Sequence, residues 1–298
     1  MTPVNVWLYG ATGQLGKAIV SQLADTPWLM MVEQDRRAFA CVGLFEHGAS
    51  EPRSVPTVII NAAAFTYVER AEHEPALAWM VNRDGVARLA ALAKQHNALL
   101  VHFSTDYLFD GTGDRPWRES DDPAPLNVYG RSKWAGEQAI MASGCRYLIV
   151  RTSWLHSPWR HNFLKTMLHL GQCHDELNVV CDQIGAPTSA TWLAQVTIQA
   201  IERVLAEPAL AGLYHVAASG AVSWHEYADF IFSEAKAMGL IDKVPTLLPV
   251  ASAHYPSPVI RPLNSRLDCA HFCDTFAVQL PDWRVGVTET LQQLLKTR

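Results

Sequence analysis

Basic runs, long apolar stretches and paired cysteines are all scarce in this chain, and each scarcity removes a class of function. The net charge is -5 over 298 residues, and no lysine or arginine run exceeds two. Nucleic-acid and anionic-membrane partners select a basic stripe, so neither is expected. No stretch reaches the ~20 consecutive apolar residues of a membrane span. The chain enters "VNVWLYG" at once, without the basic, apolar and small-residue regions of a signal peptide, which makes the cytoplasm the expected location. Six cysteines (Cys41, Cys145, Cys173, Cys181, Cys269 and Cys273) are too scattered for a disulfide framework. Only "CAHFC", with Cys269, His271 and Cys273, has a chemical look. A zinc site needs four ligands, or three and a water, and no second cluster follows, so these read as ordinary thiols on a helix and no metal is expected. The paired histidines of "HSPWRHN" and "HLGQCH" lack the carboxylate of a metalloprotease motif and read as loop or helix-surface residues.

What is present is an apolar chain, 49% hydrophobic, long enough for one large or two medium domains. Short β-branched and aromatic runs recur at 4–9, 58–60, 99–103, 147–150, 177–180 and 213–216, of a length that suits strands buried on both faces. Helical patterns lie between them, such as Leu15, Ile19, Val20 and Leu23, or Val86, Leu89, Leu92 and Ala93. The alternation predicts an α/β fold, a doubly wound parallel sheet of Rossmann type. Residues 36–56 show no period where such a fold places a helix, so an irregular segment is expected there. Beyond Arg151 the composition turns to Trp, Pro and Arg in loops, which predicts a smaller substrate region built onto the sheet.

"YGATGQLG" follows the first strand and opens the first helix, with Gly10, Gly13 and Gly16 three apart. A tight turn, a backbone close to a pyrophosphate and helix amides aimed at its charge all require this pattern, and its place after a strand is the confirming context. The second strand runs into "MMVEQDRR": Glu33 or Asp35 could take a ribose hydroxyl, while Arg36 and Arg37 could pair with a 2'-phosphate. NADPH is the expected cofactor, with NADH as the alternative.

The fourth strand runs into "HFSTDYLF", which puts Ser104, Thr105 and Asp106 at a carboxyl end, where open parallel sheets bind ligands. "LNVYGRSKWAGEQ" then sets Tyr129 and Lys133 four apart, on one face of a helix. Reducing a ketone by hydride develops negative charge on oxygen, which a phenol can quench with its proton. A lysine ammonium one turn away is expected to lower the phenol's pKa from its ordinary ~10. Thr105 supplies a second hydrogen bond.

"GATGQLG", "NAAAFTYVERAE", "STDYLFDG", "PLNVYGRSKWAGE", "RTSW", "NFLKTML", "DQIGAPT", "GLYHVAASG" and "RPLNSRLD" together resemble the extended short-chain dehydrogenase/reductases and, within them, the dTDP-4-dehydrorhamnose reductases. The resemblance implies a Rossmann domain (1–150 plus 187–217) and a sugar-nucleotide domain (151–186 plus 218–298). It also implies reduction of the 4-keto group of dTDP-4-dehydro-β-L-rhamnose to dTDP-L-rhamnose. It makes Tyr129 the proton donor, Lys133 its tuner and the holder of the nicotinamide ribose, and Thr105 the group that orients the keto oxygen. Gly10, Thr12, Gly13, Gln14, Leu15 and Gly16 cradle the pyrophosphate, and Asp35 and Arg36 read the adenosine ribose. Asn61, Ala62, Ala63, Thr66 and Ser104 line the cofactor groove. Asp106, Tyr107, Trp154 and Asn162 meet the sugar, and Arg261, Asn264 and Arg266 meet the diphosphate. Some members dimerise around a magnesium held by glutamates, but the matching positions here are Ala18, Thr191 and Gln293, so no such metal and a monomer or weak homodimer are expected. The rivals are a reductase or epimerase of another nucleotide sugar, and a non-catalytic dinucleotide-binding regulatory subunit. A regulatory subunit has no need of Thr105, Tyr129 and Lys133 together.

Overall fold

A computed structural model describes residues 4–24, 29–34 (as backbone) and 55–297. Its centre is a six-stranded sheet of Val4–Tyr9 (β1), Leu29–Gln34 (β2), Val58–Asn61 (β3), Leu99–Thr105 (β4), Arg146–Thr152 (β5) and Gly212–His215. The order across the sheet is the last strand, β5, β4, β3, β1, β2, and every pairing is parallel. The order reverses at β1, so the carboxyl ends of β1 and β3 open a crevice of the kind that binds ligands in doubly wound sheets.

Period-2 alternation explains the two faces. Val6, Leu8, Ile60, Val101 and Val150 point to one side, where Leu15 and Ile19 of the helix Gln14–Ala24 (α1) and Leu193, Ile198 and Ile201 of the helix Ala190–Ala206 cover them. Trp7, Ile59, Leu100 and Ile149 point to the other, against Val86, Leu89 and Ala93 of Gly85–Gln95 and Ile140 of Val128–Ser143. Burying each such aliphatic side chain contributes about 1.5–3 kcal/mol.

The helix Val128–Ser143, which carries Tyr129 and Lys133, is unlike its neighbours. Asn127 caps it by accepting from the Gly130 amide at 2.9 Å, and Gly144 ends it at φ +70. Its buried stripe is Gly130, Ser132, Lys133, Gly136, Glu137 and Ile140, mostly small or polar. A Cβ at Gly130 would stand 2.3 Å from the Tyr107 carbonyl, so only glycine lets the helix settle there. An ion pair does the holding: Arg151 on β5 meets the Glu137 carboxylate through Nη2 at 2.7 Å and Nε at 3.0 Å, both side chains buried. Arg151 Nη1 also faces His215 Nε2 at 3.3 Å, and His215 Nδ1 donates to the Trp117 carbonyl at 3.0 Å. Burial and the Arg151 charge draw His215 down to about 3, so the ring stays neutral.

A second core lies beyond the sheet's carboxyl edge. Leu164 and Met167, Tyr227, Ile231 and Phe232, and Trp283, Val287 and Leu291 come together from three helices, Phe163–Cys173, Trp224–Ala237 and Trp283–Lys296. The run at 177–180, expected among strands buried on both faces, belongs here: Glu176–Val180 pairs with Thr246–Val250, and its first three residues reach the surface. Phe272 and Phe276, from the stretch 218–298 expected in the sugar unit, join the sheet's core instead, because their helix lies along Tyr214 of the last strand. Cys269 begins that helix with its Sγ accepting the Ala217 amide, and His271 stacks on Tyr214. Among the described residues no helix is long and apolar enough to cross a membrane.

The reading of "HSPWRHN" needs correction. His161, His169 and His174 are exposed, but His156 is buried, with Nδ1 3.1 Å from Thr290 Oγ1. The short strand Leu155–His156, paired with Thr188–Ser189, carries it beneath the C-terminal helix.

Two outcomes are expected. Glu137→Ala leaves Arg151 buried and unpaired and should cost about 3–5 kcal/mol in urea unfolding. Burial draws His156 down to about 3, below the ~6.5 of an unfolded histidine, so between these values the unfolded chain binds a proton that the folded chain does not. Stability therefore falls as pH drops through that window. Replacing His156 with Gln should flatten the slope of unfolding free energy against pH by up to ~1.4 kcal/mol per pH unit.

Candidate active site

At the end of β1 the chain turns through Gly10 at φ +85. A Cβ there would stand 2.5 Å from the Ala63 amide, so the turn nests directly on the segment after β3. The Gly13 amide closes the turn onto the Gly10 carbonyl at 3.0 Å, and α1 starts at Gln14. Gly16, in the first turn of α1, sits against the Gly10 carbonyl. Thr12, Gly13, Gln14 and Leu15 thus bring a helix amino terminus to the crevice, where partial positive charge and unpaired amides suit an anion.

The crevice deepens into a cleft of about 950 Å³. Ala62, Ala63 and Thr66 line it after β3, Ser104, Thr105 and Asp106 at the end of β4, and Thr152 at the end of β5. Tyr129 and Lys133 form its wall from the side of their helix, with Tyr107 and Trp154 also on the wall and Asn162 beside the glycine turn. Most residues singled out from the sequence therefore meet in one place. Gly16 and Asn61 stand just behind the wall. Arg261 lies at the margin, bonded to Glu69 at 2.9 Å and to Tyr107. Asn264 and Arg266 are off the wall: Asn264 donates to the Arg115 carbonyl, and Arg266 Nε donates to Asn264 Oδ1. Asp35 and Arg36 lie outside the described residues.

Tyr129, Thr105 and Asp106 form a connected set. The Tyr129 hydroxyl shares a hydrogen bond with Thr105, and Thr105 Oγ1 donates to Asp106 Oδ1 at 3.1 Å and accepts the Tyr107 amide at 3.2 Å. Burial raises the Tyr129 phenol above its ordinary range, with the Thr105 bond opposing. Burial likewise brings Asp106 up to about 6, with hydrogen bonds from Ser265 and Thr105 opposing. The expected lowering of the phenol by Lys133 is thus not what this geometry produces. Lys133 Nζ donates to the Phe103 carbonyl at 2.6 Å and approaches His102 Nε2 at 3.2 Å, and burial draws the lysine itself down to about 8. For Lys133 desolvation outweighs the opposing Glu137 charge, and for Tyr129 the Asp106 and Tyr107 charges act in the same direction as desolvation.

Buried polar atoms normally have partners. Ser104 Oγ, Asp106 Oδ2, Thr152 Oγ1, His156 Nε2 and Tyr227 Oη have none among the described residues, and all five residues line the cleft. A polar ligand would supply the missing bonds. The open backbone at Gly13, whose Cβ would meet only the Gly10 and Ala62 carbonyls, likewise suits the pyrophosphate of a dinucleotide.

Several wall residues escaped the sequence reading. Trp224 stacks on Trp154 with centroids 3.5 Å apart, its Nε1 donating to Gln183 Oε1, and Phe163 and Tyr227 add to this aromatic end. The capping box of Ser223 and Glu226 could have placed Trp224 in the first turn of a helix, but no local pattern reports that it faces Trp154. Arg160, at φ +58, donates to the Thr12 carbonyl at 2.7 Å, and Asn162 Nδ2 donates to Gln14 Oε1 at 2.7 Å. The second unit is therefore bonded directly to the glycine turn.

Known proteins resemble the chain over nearly its whole length. The chain is 43% identical over 298 residues to the dTDP-4-dehydrorhamnose reductase of Escherichia coli, covering 99% of each. The crystal structure of a dTDP-4-dehydrorhamnose reductase from Clostridium acetobutylicum is similar with a TM-score of 0.86 and 33% identity, covering 98% of this chain and 100% of that one. The structure of dTDP-4-dehydrorhamnose reductase from Bacillus anthracis in complex with NADP is similar with a TM-score of 0.85 and 32% identity, over the same shares. Residues 4–296 match the family described as RmlD substrate binding domain, and a match from the first strand to the C-terminal helix means that the chain belongs to that family.

Proposed function

We propose that this protein reduces the 4-keto group of dTDP-4-dehydro-β-L-rhamnose to give dTDP-L-rhamnose, using NADPH. One observation carries the reading: Thr105, Tyr129 and Lys133 share a cleft wall that begins at a glycine turn, in a chain whose full-length relatives are named dTDP-4-dehydrorhamnose reductase. NADPH, when bound, supplies a hydride to the carbonyl carbon. The chain's own residues manage the oxygen. As negative charge develops there, Tyr129 gives it the phenolic proton, and Thr105 adds a second hydrogen bond. A phenol raised by burial is fully protonated near neutral pH, which is the form a donor needs. The phenolate left behind regains its proton from solvent.

The remaining roles follow the walls. Gly10, Thr12, Gly13, Gln14, Leu15 and Gly16 form the pyrophosphate cradle, and Asn61, Ala62, Ala63, Thr66 and Ser104 the groove beside it. Asp35 and Arg36 are proposed to read the adenosine ribose, with the arginine favouring NADPH over NADH. Asp106, Tyr107, Trp154 and Asn162 meet the sugar, and Trp224 backs Trp154. Arg261 is the candidate for the diphosphate; Asn264 and Arg266 act there by shaping the loop that carries it. The two cores support a dinucleotide domain of 1–150 plus 187–217 and a sugar domain of 151–186 plus 218–298, with the helix Ala270–Phe276 returned to the sheet. A monomer or weak homodimer in the cytoplasm completes the proposal.

The direct test supplies the 4-keto dTDP sugar with NADPH or NADH and follows loss of the reduced nicotinamide. Turnover is expected, and none with either cofactor overturns the reading. Tyr129→Phe should lower kcat by at least ~100-fold while thymidine diphosphate still binds. Trp224→Ala removes the stacking support of Trp154 and should raise KM for the sugar nucleotide ~3–10-fold, with a smaller change in kcat.

A further inference from the structure

Arg160 carries a positive charge to which neither the fold nor the proposed reaction gives a use. Its hydrogen bond to the described residues runs from Nε to the Thr12 carbonyl at 2.7 Å, and no carboxylate among them pairs with it. Nη1 and Nη2 are left uncommitted, and the residue lines the cleft together with Thr12 and Gly13. The segment that carries it, 157–162, is fastened over the glycine turn. Gln14 Oε1 accepts from Ser157 Oγ at 2.9 Å and from Asn162 Nδ2 at 2.7 Å, and Lys165 Nζ donates to the Pro158 carbonyl at 3.0 Å. Trp159 packs against the core that α1 shares with the sheet. Arg160 itself sits at φ +58, in the left-handed region that a non-glycine residue adopts at a cost, so the bonds on either side impose it. The guanidinium is thereby set in place before any ligand arrives.

Its location is electrostatically wrong for a chain without a ligand. Cations are favoured at the carboxyl end of a helix, whereas Arg160 is bonded two residues before the amino end of α1, where the helix dipole is positive. An anion between the two turns that repulsion into attraction from both sides. We infer that Arg160 closes the pyrophosphate site from the loop beyond β5: with Nε on the Thr12 carbonyl, Nη1 and Nη2 bond the pyrophosphate oxygens of the dinucleotide opposite the amides of α1. The planar fork makes this division of labour possible, one donor holding the backbone while the outer pair meets phosphate. The inference rests on the reading of the glycine turn as the cofactor's cradle. An adenosine 2'-phosphate and the diphosphate of a sugar nucleotide offer the same chemistry. The bond to the turn itself favours the pyrophosphate, and binding measurements separate the three.

Binding of NADPH and NADH to the full chain, followed by the fluorescence of the reduced nicotinamide, tests this without any sugar nucleotide. Arg160→Gln is the decisive variant, because the glutamine Nε2 takes the place of the arginine Nε and keeps a donor for Thr12 while the charge and the outer fork are gone. NADPH and NADH should each bind about 10-fold more weakly, by the same factor, and their affinity should fall less steeply with added salt. Arg160→Lys returns the charge and should recover part of the affinity and the salt dependence. Three results overturn the proposal. Unchanged affinity in Arg160→Gln, with a loss only in Arg160→Ala, makes the residue a latch between loop and turn. A loss confined to NADPH puts it on the 2'-phosphate. Weaker binding of thymidine diphosphate, measured by calorimetry, with both nicotinamides unaffected puts it on the substrate. A parent chain that binds neither nicotinamide removes the cradle reading itself, so the two failures are distinguishable.

Discussion

The placement of the Tyr129 helix depends on one buried ion pair. That helix has almost no apolar face, so the hydrophobic burial that seats every other helix on the sheet is largely missing. Removing two charges from water costs several kcal/mol each and is offset only by good geometry. Here Glu137 meets Arg151 with two donors, Arg151 lies over the Phe109 ring, and His215 takes a further guanidinium contact. The same contacts reach through His215 to Trp117, so the loop after β4, the helix and the last two strands share one polar anchor. Directional bonds hold position more sharply than greasy contact does, and the phenol and ammonium on this helix need such definition.

That anchor fixes the helix beside a row of polar side chains at the strand ends. Ser104, Thr105, Asp106 and Thr152 stand at adjacent strand ends, where a parallel sheet brings its carboxyl termini to one edge. Of these, Ser104 Oγ, Asp106 Oδ2 and Thr152 Oγ1 have no partner among the described residues. Burial then sets the charge states, keeping the phenol protonated and drawing the lysine down.

Much of this was legible in the residue order. The first strand was found at its true limits, and β3, β4 and β5 extend their predicted runs by one to three residues, because alternation and apolar continuity are local signals. The glycine turn and the four-residue spacing of Tyr129 and Lys133 were likewise readable, since each concerns a single turn of backbone. What escaped involves partners far apart in the chain. His156 looked like a loop histidine because nothing near it announces the C-terminal helix above, and Trp224 gives no hint of Trp154. Asn264 and Arg266 have the chemistry of a phosphate site, yet their donors are taken by backbone carbonyls and each other some 150 residues away, as with Asn264 and Arg115. Lys133 was assigned to Tyr129 by spacing, while its observed neighbours come from β4.

The bonds from Asn162 to Gln14 and from Arg160 to Thr12 have a consequence for how this architecture can be recombined. The loop that leads from β5 toward the second core is fastened to the glycine turn by a bond between two side chains at Asn162 and Gln14 and by a side chain on a backbone carbonyl at Arg160 and Thr12. An exchange of the second core between relatives must therefore carry the glycine turn with it, or match it at Gln14. The seam along which such a chimera could be cut runs not between the two cores but around the first helix, which belongs to one unit by packing and to both by hydrogen bonding.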